Sequence, residues 1–191
     1  MYFILNLISY IKNFKRKFED HTSYEKIPEY DGIFRRTISN WQRRESESLN
    51  NPTKSSGDLP AGWKNKAKQI HRDMLKNMEY VSDTHLYGKC EYWATSKEIL
   101  KYMKGDCEDQ AIYVLRELRD AGFPDNKIGV VIVKEHAFAC IHITNNDFWL
   151  LDNGYISRQI IKASEIFPVK IKGTELKPVC GFNLFDIWTY K

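Results

Sequence analysis

The hydrophobic period of this chain changes once, sharply, between residues 106 and 133, and that change dictates most of what it can fold into. Ala111, Ile112, Leu115 and Leu118 recur at helical spacing and mark one buried stripe on an α-helix. Gly122 stops that helix, and Pro124 confirms the stop. From Ile128 the pattern becomes Gly129-Val130-Val131-Ile132-Val133, a β-branched apolar run that reads as a strand. Ile141 and Ile143 continue the strand pattern. The Asn-Asn-Asp at residues 145–147 predicts a turn, and residues 148–152 predict the returning strand. Residues 178–185 predict one strand more.

Upstream the spacing is helical. Ile33, Phe34, Ile38 and Trp41 place a helix over residues 32–49. Asn, Pro, Ser and Gly crowd residues 50–62, which predicts a loop or linker. Trp63, Ala67, Ile70, Met74 and Met78 place a second amphipathic helix over residues 63–80. A loop over residues 82–88 and a short helix over 96–102 follow. Helices first and strands after, without alternation, predict an α+β fold: N-terminal helices, then an antiparallel sheet. The linker divides the chain into a helical extension, residues 1–62, and a main domain, residues 63–191. No internal repeat or low-complexity tract interrupts it.

Composition narrows the functional classes. With 191 residues the chain is long enough for one well-packed domain, and 42% hydrophobic with 28% charged residues excludes a disordered chain. Aromatic residues at 14% suggest large core anchors or a groove that grips an extended peptide. The net charge of +4 is mild, and Lys15-Arg16-Lys17 is its densest cluster, so the basic residues read as a solvated face and not as a nucleic-acid interface. Cys90, Cys107, Cys140 and Cys180 are widely separated and form no CxxC pair of the kind a zinc or redox site uses. Residues 1–11 are apolar, but Lys12, Lys15, Arg16 and Lys17 follow them, the reverse of a secretory signal. The stretch is also too short to span a bilayer. Phe3, Leu7, Tyr10, Phe14 and Phe18 recur at helical spacing, which predicts a helix docked on the domain; weak membrane association of its apolar face is the sharper alternative.

The chemistry concentrates at Gly105-Asp106-Cys107-Glu108-Asp109, where Cys107 occupies the first turn of the legible helix. Unpaired N–H groups and the helix dipole stabilise an anion there, favouring a thiolate and an oxyanion. The three carboxylates act the other way and raise the thiol pKa unless a cation neutralises them. The cysteine is therefore inert, or the acidic cluster holds a metal. A nucleophilic thiol needs a base and the base an orienting group; His136 and Asp152 follow in that order. With a three-residue turn at 145–147, Asp152 faces Cys140, about 13 Å along the strand from His136. His142 is nearer in that register. A bulge, a strong twist or a longer loop would bring His136 to Asp152, and spacing leaves the choice of histidine open.

Several blocks in order carry a resemblance: Tyr80-Val81-Ser82-Asp83, Glu91-Tyr92-Trp93-Ala94-Thr95-Ser96-Lys97-Glu98, Lys104-Gly105-Asp106-Cys107-Glu108-Asp109-Gln110-Ala111-Ile112, His136-Ala137, Leu151-Asp152-Asn153, and Pro178-Val179 with Phe182-Asn183. From about residue 63 onward the chain resembles the bacterial transglutaminase-like cysteine peptidases, the LapG-type periplasmic proteases that release large surface adhesins. The resemblance implies a papain-like or transglutaminase-like fold, with Cys107 as nucleophile, His136 in preference to His142 as base, and Asp152 as the third member. It implies calcium as cofactor, with Asp106 and Glu108 at calcium-binding positions and Asp109 a neighbouring candidate. Calcium takes about six to eight oxygen ligands, so these three supply part of the shell. It also implies a protein substrate, a surface adhesin among them, and a periplasmic location. The family's Trp-Gly pair, which serves docking to a membrane receptor, is Tyr87-Gly88 here, which counts against carrying that partner over.

Two other classes compete. The same three residues would serve an acyl-transferring transglutaminase or an amidase, because the acyl-enzyme is common to all. A binding module would keep the fold without the reactivity. His71 and His142 are expected to be surface or structural histidines, and Cys90, Cys140 and Cys180 small buried hydrophobes.

Overall fold

A run of β-branched residues buried on both faces seeds the sheet: all six residues of Ile128–Val133 are buried. The computed structural model describes residues 30–133, 136–144, 147–167, 170–171, 174–175 and 178–189. The expected helix near the N-terminus, and its membrane association, lie outside them. Arg35–Lys191 form one compact unit. In chain order the helices are α1 (Tyr30–Ser48), α2 (Trp63–Asn77), α3 (Asp83–Tyr87), α4 (Ser96–Tyr102), α5 (Cys107–Asp120) and α6 (Ala163–Ile166). The strands are β1 (Glu79–Tyr80), β2 (Lys104–Gly105), β3 (Ile128–Val133), β4 (His136–His142), β5 (Phe148–Leu151), β6 (Ile161–Lys162), β7 (Lys170–Ile171), β8 (Thr174–Glu175), β9 (Pro178–Phe182) and β10 (Ile187–Thr189). A 3₁₀ turn at Asp125–Lys127 leads into β3. Helices precede an antiparallel sheet, as the sequence predicts, and none of the described helices is long and apolar enough to cross a membrane.

The main sheet has six strands in the order β10-β9-β3-β4-β5-β6, every neighbouring pair antiparallel. Val131, Val133, Phe138, Cys140, Phe148 and Leu150 join Ala163 and Ile166 of α6 in one buried cluster. The helix α5 packs against β3 and β4. Its legible stripe is buried throughout, and Gly122 takes φ +86°, which lets Gly122 N–H reach Arg119 O and Phe123 N–H reach Leu118 O, at 3.0 and 3.1 Å.

The helix α1 buries Ile38, Trp41 and Glu45, spaced three and four apart. The Trp41 indole N–H donates to Ala94 O at 3.1 Å, and its ring meets Phe182 of β9 at 5.2 Å edge-on. The Glu45 carboxylate accepts from Ser96 N–H and Ser96 Oγ–H at 2.8 and 2.5 Å. Thr95 caps α4 reciprocally with Glu98. The helix α1 thus fixes the segment that leads to Cys107.

Two differences from the predicted elements matter to the site. The second helix ends at Asn77, because Met78 turns extended and Glu79 and Tyr80 pair in parallel with Lys104 and Gly105. The freed N–H groups of Glu79 and Val81 find Met103 O and Gly105 O at 3.0 and 3.1 Å, a partner more than 20 residues away that periodicity does not reveal. The expected loop at residues 82–88 contains α3, closed by Gly88. This pairing sets Asp83 beside the start of α5. Trp41→Ala should cost about 3–5 kcal/mol of stability, read by urea denaturation; a loss below about 1 kcal/mol would show that α1 is not part of the packed core.

Candidate active site

Cys107 is the first residue of α5, after Asp106 in extended conformation. The first helical bond runs from Gln110 N–H to Asp106 O, so the N–H groups before it have no partner within the helix. The half-buried Cys107 thiol donates to Glu108 Oε2 at 3.2 Å, and its sulfur accepts from the backbone N–H of Ala137, next to His136. Burial, then the charges of Glu108 and Asp106, push the thiol well above its ordinary pKa.

His136 opens β4 and Asp152 follows the last residue of β5. Here the expected register is corrected. Cys140 pairs with Leu150, not Asp152, because the loop is longer: β4 ends at His142 opposite Phe148, and Ile143 and Thr144 N–H both bond Asp147 O. The expected turn falls partly on residues 145 and 146, outside the described ones. The two-residue slip keeps Asp152 on the same face and moves it about 7 Å toward His136. His136 Nε2 then reaches Asp152 Oδ1 at 2.6 Å. His142 instead pairs with Phe148, lies 3.4 Å from Cys140 Sγ, and packs edge-on against Trp188; burial, then Lys127, lowers its pKa to about 4.

Asp152 is fully buried and engaged on every side. Its Oδ2 accepts from the N–H groups of Ile156 and Ser157 at 2.6 and 2.8 Å. Its carbonyl oxygen meets His71 Nε2 at 2.5 Å. Burial pushes its pKa up, but the bond and charge of His136 and the two N–H donors outweigh it, and the carboxyl stays below its usual range. The His136 ring rests edge-on against Phe138 at 4.6 Å and beside Tyr155 at 5.3 Å.

Beyond Cys107 lies an acidic cluster, buried except at Glu91. One carboxylate oxygen each of Asp83, Asp106 and Asp109 lies within 4.8 Å of the others, and so does one each of Asp83, Glu91 and Glu108. Sequence reading missed Asp83 and Glu91, although both stand in the quoted blocks; their signal was acidity, without a spacing to tie them to Cys107. Asp109 Oδ1 accepts from Ala94 N–H at 2.9 Å, while Oδ2 has no hydrogen-bond partner among the described residues. Burial and then Asp106 push Asp109 up to about 8, and burial, Asp106 and Glu91 push Glu108 well up. Gly105 permits this crowding: a Cβ there would stand 2.3 Å from Asp109 Cβ. Buried, mutually repelling carboxylates with an unsatisfied oxygen suit a hard, oxygen-seeking divalent cation.

The depressed Asp152 carboxyl has a definite pH signature. Its contribution to stability is complete above the unfolded carboxylate value of about 4 and is lost as pH falls through the lower folded value. The stability difference between the unaltered chain and Asp152→Asn should therefore be largest near neutral pH and shrink below about pH 4. Urea denaturation of both chains from pH 7 to pH 3 measures it; a difference that widens toward acid would contradict the assignment.

The model of the bacterial transglutaminase-like cysteine proteinases (BTLCP) matches residues 41–166. Among solved structures, LapG of Legionella pneumophila superposes with a TM-score of 0.54 at 19% identity, over 80% of this chain and 87% of that one. The EGTA-treated form gives 0.55 at 20% identity over 81% and 86%, and the calcium-bound form 0.54 at 19% over 80% and 87%. At such identity the likeness shows a shared fold. No curated protein matches the sequence. The family match runs unbroken from Trp41 in α1 past the cysteine-bearing helix and the central hairpin to Ile166, so the chain belongs to the bacterial transglutaminase-like cysteine proteinases and is a cysteine peptidase.

Proposed function

We propose that this peptidase cleaves a protein through Cys107, His136 and Asp152, with calcium at the neighbouring acidic cluster. The observation that carries the reading is the 2.6 Å bond between His136 Nε2 and Asp152 Oδ1, on a strand whose next residue, Ala137, donates its N–H to the Cys107 sulfur. A carboxylate only accepts, so Nε2 carries the proton and Nδ1 is left to take the proton of the thiol. The Cys107 thiolate attacks the peptide carbonyl, forming the carbon–sulfur bond. The free N–H groups at the start of α5 hold the oxyanion. The amine leaves with the proton from His136, and water, deprotonated by the same imidazole, releases the acid and restores the thiol.

Asp106, Glu108 and Asp109, joined by Asp83 and Glu91, are the residues that would hold calcium. When bound it supplies positive charge where carboxylates otherwise hold the thiol protonated. The calcium-bound form of the similar Legionella pneumophila LapG supports this reading. A large surface adhesin is the substrate that the resemblance suggests. The Tyr87 hydroxyl is buried, with Asp109, Glu98 and Asp83 near enough to raise its pKa along with burial. An inward-facing hydroxyl supports leaving the family's receptor docking aside.

Cys107→Ala should lower turnover of a protein substrate by at least roughly a thousandfold with the fold intact; substantial cleavage by that variant would sink the triad. Calcium should raise the thermal midpoint of the unaltered chain and speed iodoacetamide labelling of Cys107, and both effects should vanish in Asp109→Asn. Identical labelling in calcium and in EGTA would remove calcium from the mechanism.

A further inference from the structure

Asp152 stands one residue past the last ladder pair, Leu151 with Ala139, so the sheet does not hold its carbonyl. A buried carbonyl needs a donor, and the donor here comes from another element. His71 lies on the buried stripe of α2 with Ala67 and Met74, is 1% exposed, and meets Asp152 O at 2.5 Å through Nε2. The carbonyl can only accept, so this ring carries its proton on Nε2. The same face of α2 backs the segment after Asp152: a Cβ at Gly154 would come 3.2 Å from Leu75 Cδ2.

We propose that His71 is a positioning residue: it fixes the backbone of Asp152 so that one carboxylate oxygen meets His136 while the other takes the N–H groups of Ile156 and Ser157. The inference rests on the Cys107–His136–Asp152 reading. Three anchors at three different atoms determine the orientation of Asp152: His71 at the carbonyl, the Ile156 and Ser157 amides at Oδ2, and His136 at Oδ1. Without the first, the residue can rotate about its backbone, and the short bond to His136 is the contact such rotation lengthens. Burial favours the neutral ring of His71, with Arg158 acting in the same direction and Asp152 against it. A neutral donor serves the carbonyl without adding a charge beside Asp152. The competing role, a core histidine that only fastens α2, would affect stability and leave the His136–Asp152 bond unchanged.

The test uses the full chain in calcium buffer, with His71→Leu, His71→Asn and His71→Gln. Glutamine places an amide N–H near the position of Nε2; asparagine falls short, and leucine has no donor. One readout is the low-field proton NMR resonance of the His136 Nε2–H held by Asp152, assigned by its absence in His136→Ala. The other is the rate of Cys107 labelling by iodoacetamide at pH 7. Leu and Asn should weaken or abolish the resonance and slow labelling about tenfold or more, and Gln should restore both. A folded Leu or Asn chain with the unaltered resonance and rate overturns the inference, as does a Gln chain no better than Asn. Unfolding of the Leu and Asn chains would assign His71 to stability alone and overturn it too. If His136→Ala labels Cys107 as fast as the unaltered chain, the triad reading falls, while the resonance still reports on the His71 contact.

Discussion

A carboxylate stays ionised inside a protein only if donors meet its oxygens, and the site is built around one such group, Asp152. It is fully buried, yet His136, Ile156 and Ser157 serve its oxygens and His71 its carbonyl. The four donors come from three places: α2, the start of β4 and the segment after β5. The sheet and the first helices are therefore conditions for a single orientation of one side chain, and the imidazole of His136 inherits that orientation.

Across Cys107 the electrostatics reverse. Asp83, Asp106, Glu108 and Asp109 are buried too, but their carboxylates crowd one another, and at Glu108 and Asp109 burial and repulsion prevail. The result is one carboxylate held low and two held high on either side of one thiol. Such a contrast within one site separates a carboxylate whose neighbours favour its charge from carboxylates whose neighbours oppose it.

The link between these halves is the chain from α1 to α5. Glu45 holds Ser96, Trp41 holds Ala94, and Ala94 N–H in turn holds Asp109. Trp93 stacks on Phe182 of β9, next to Trp41. Residues of the first helix thereby set the height of the acidic cluster against the sheet, and their contribution is positional.

Sequence determined the elements whose signals are local. The stripe of α5, its stop at Gly122, the β-branched strand after it, and a cysteine at a helix start among three carboxylates all follow from neighbours along the chain, because a helix or strand period is a local property. The order of Cys107, His136 and Asp152 was legible as well. Tertiary structure decided what depends on pairing. The β4–β5 register slipped by two residues against the expected one, and that slip brings His136 to Asp152 and leaves His142 with Cys140. The parallel pairing of Glu79 and Tyr80 with Lys104 and Gly105 placed Asp83 by the cluster. The burial of His71 against Asp152 joined residues 81 positions apart. Register and long-range contacts depend on loop length and on which distant groups satisfy a buried polar atom, and neither is written in the spacing of nearby residues.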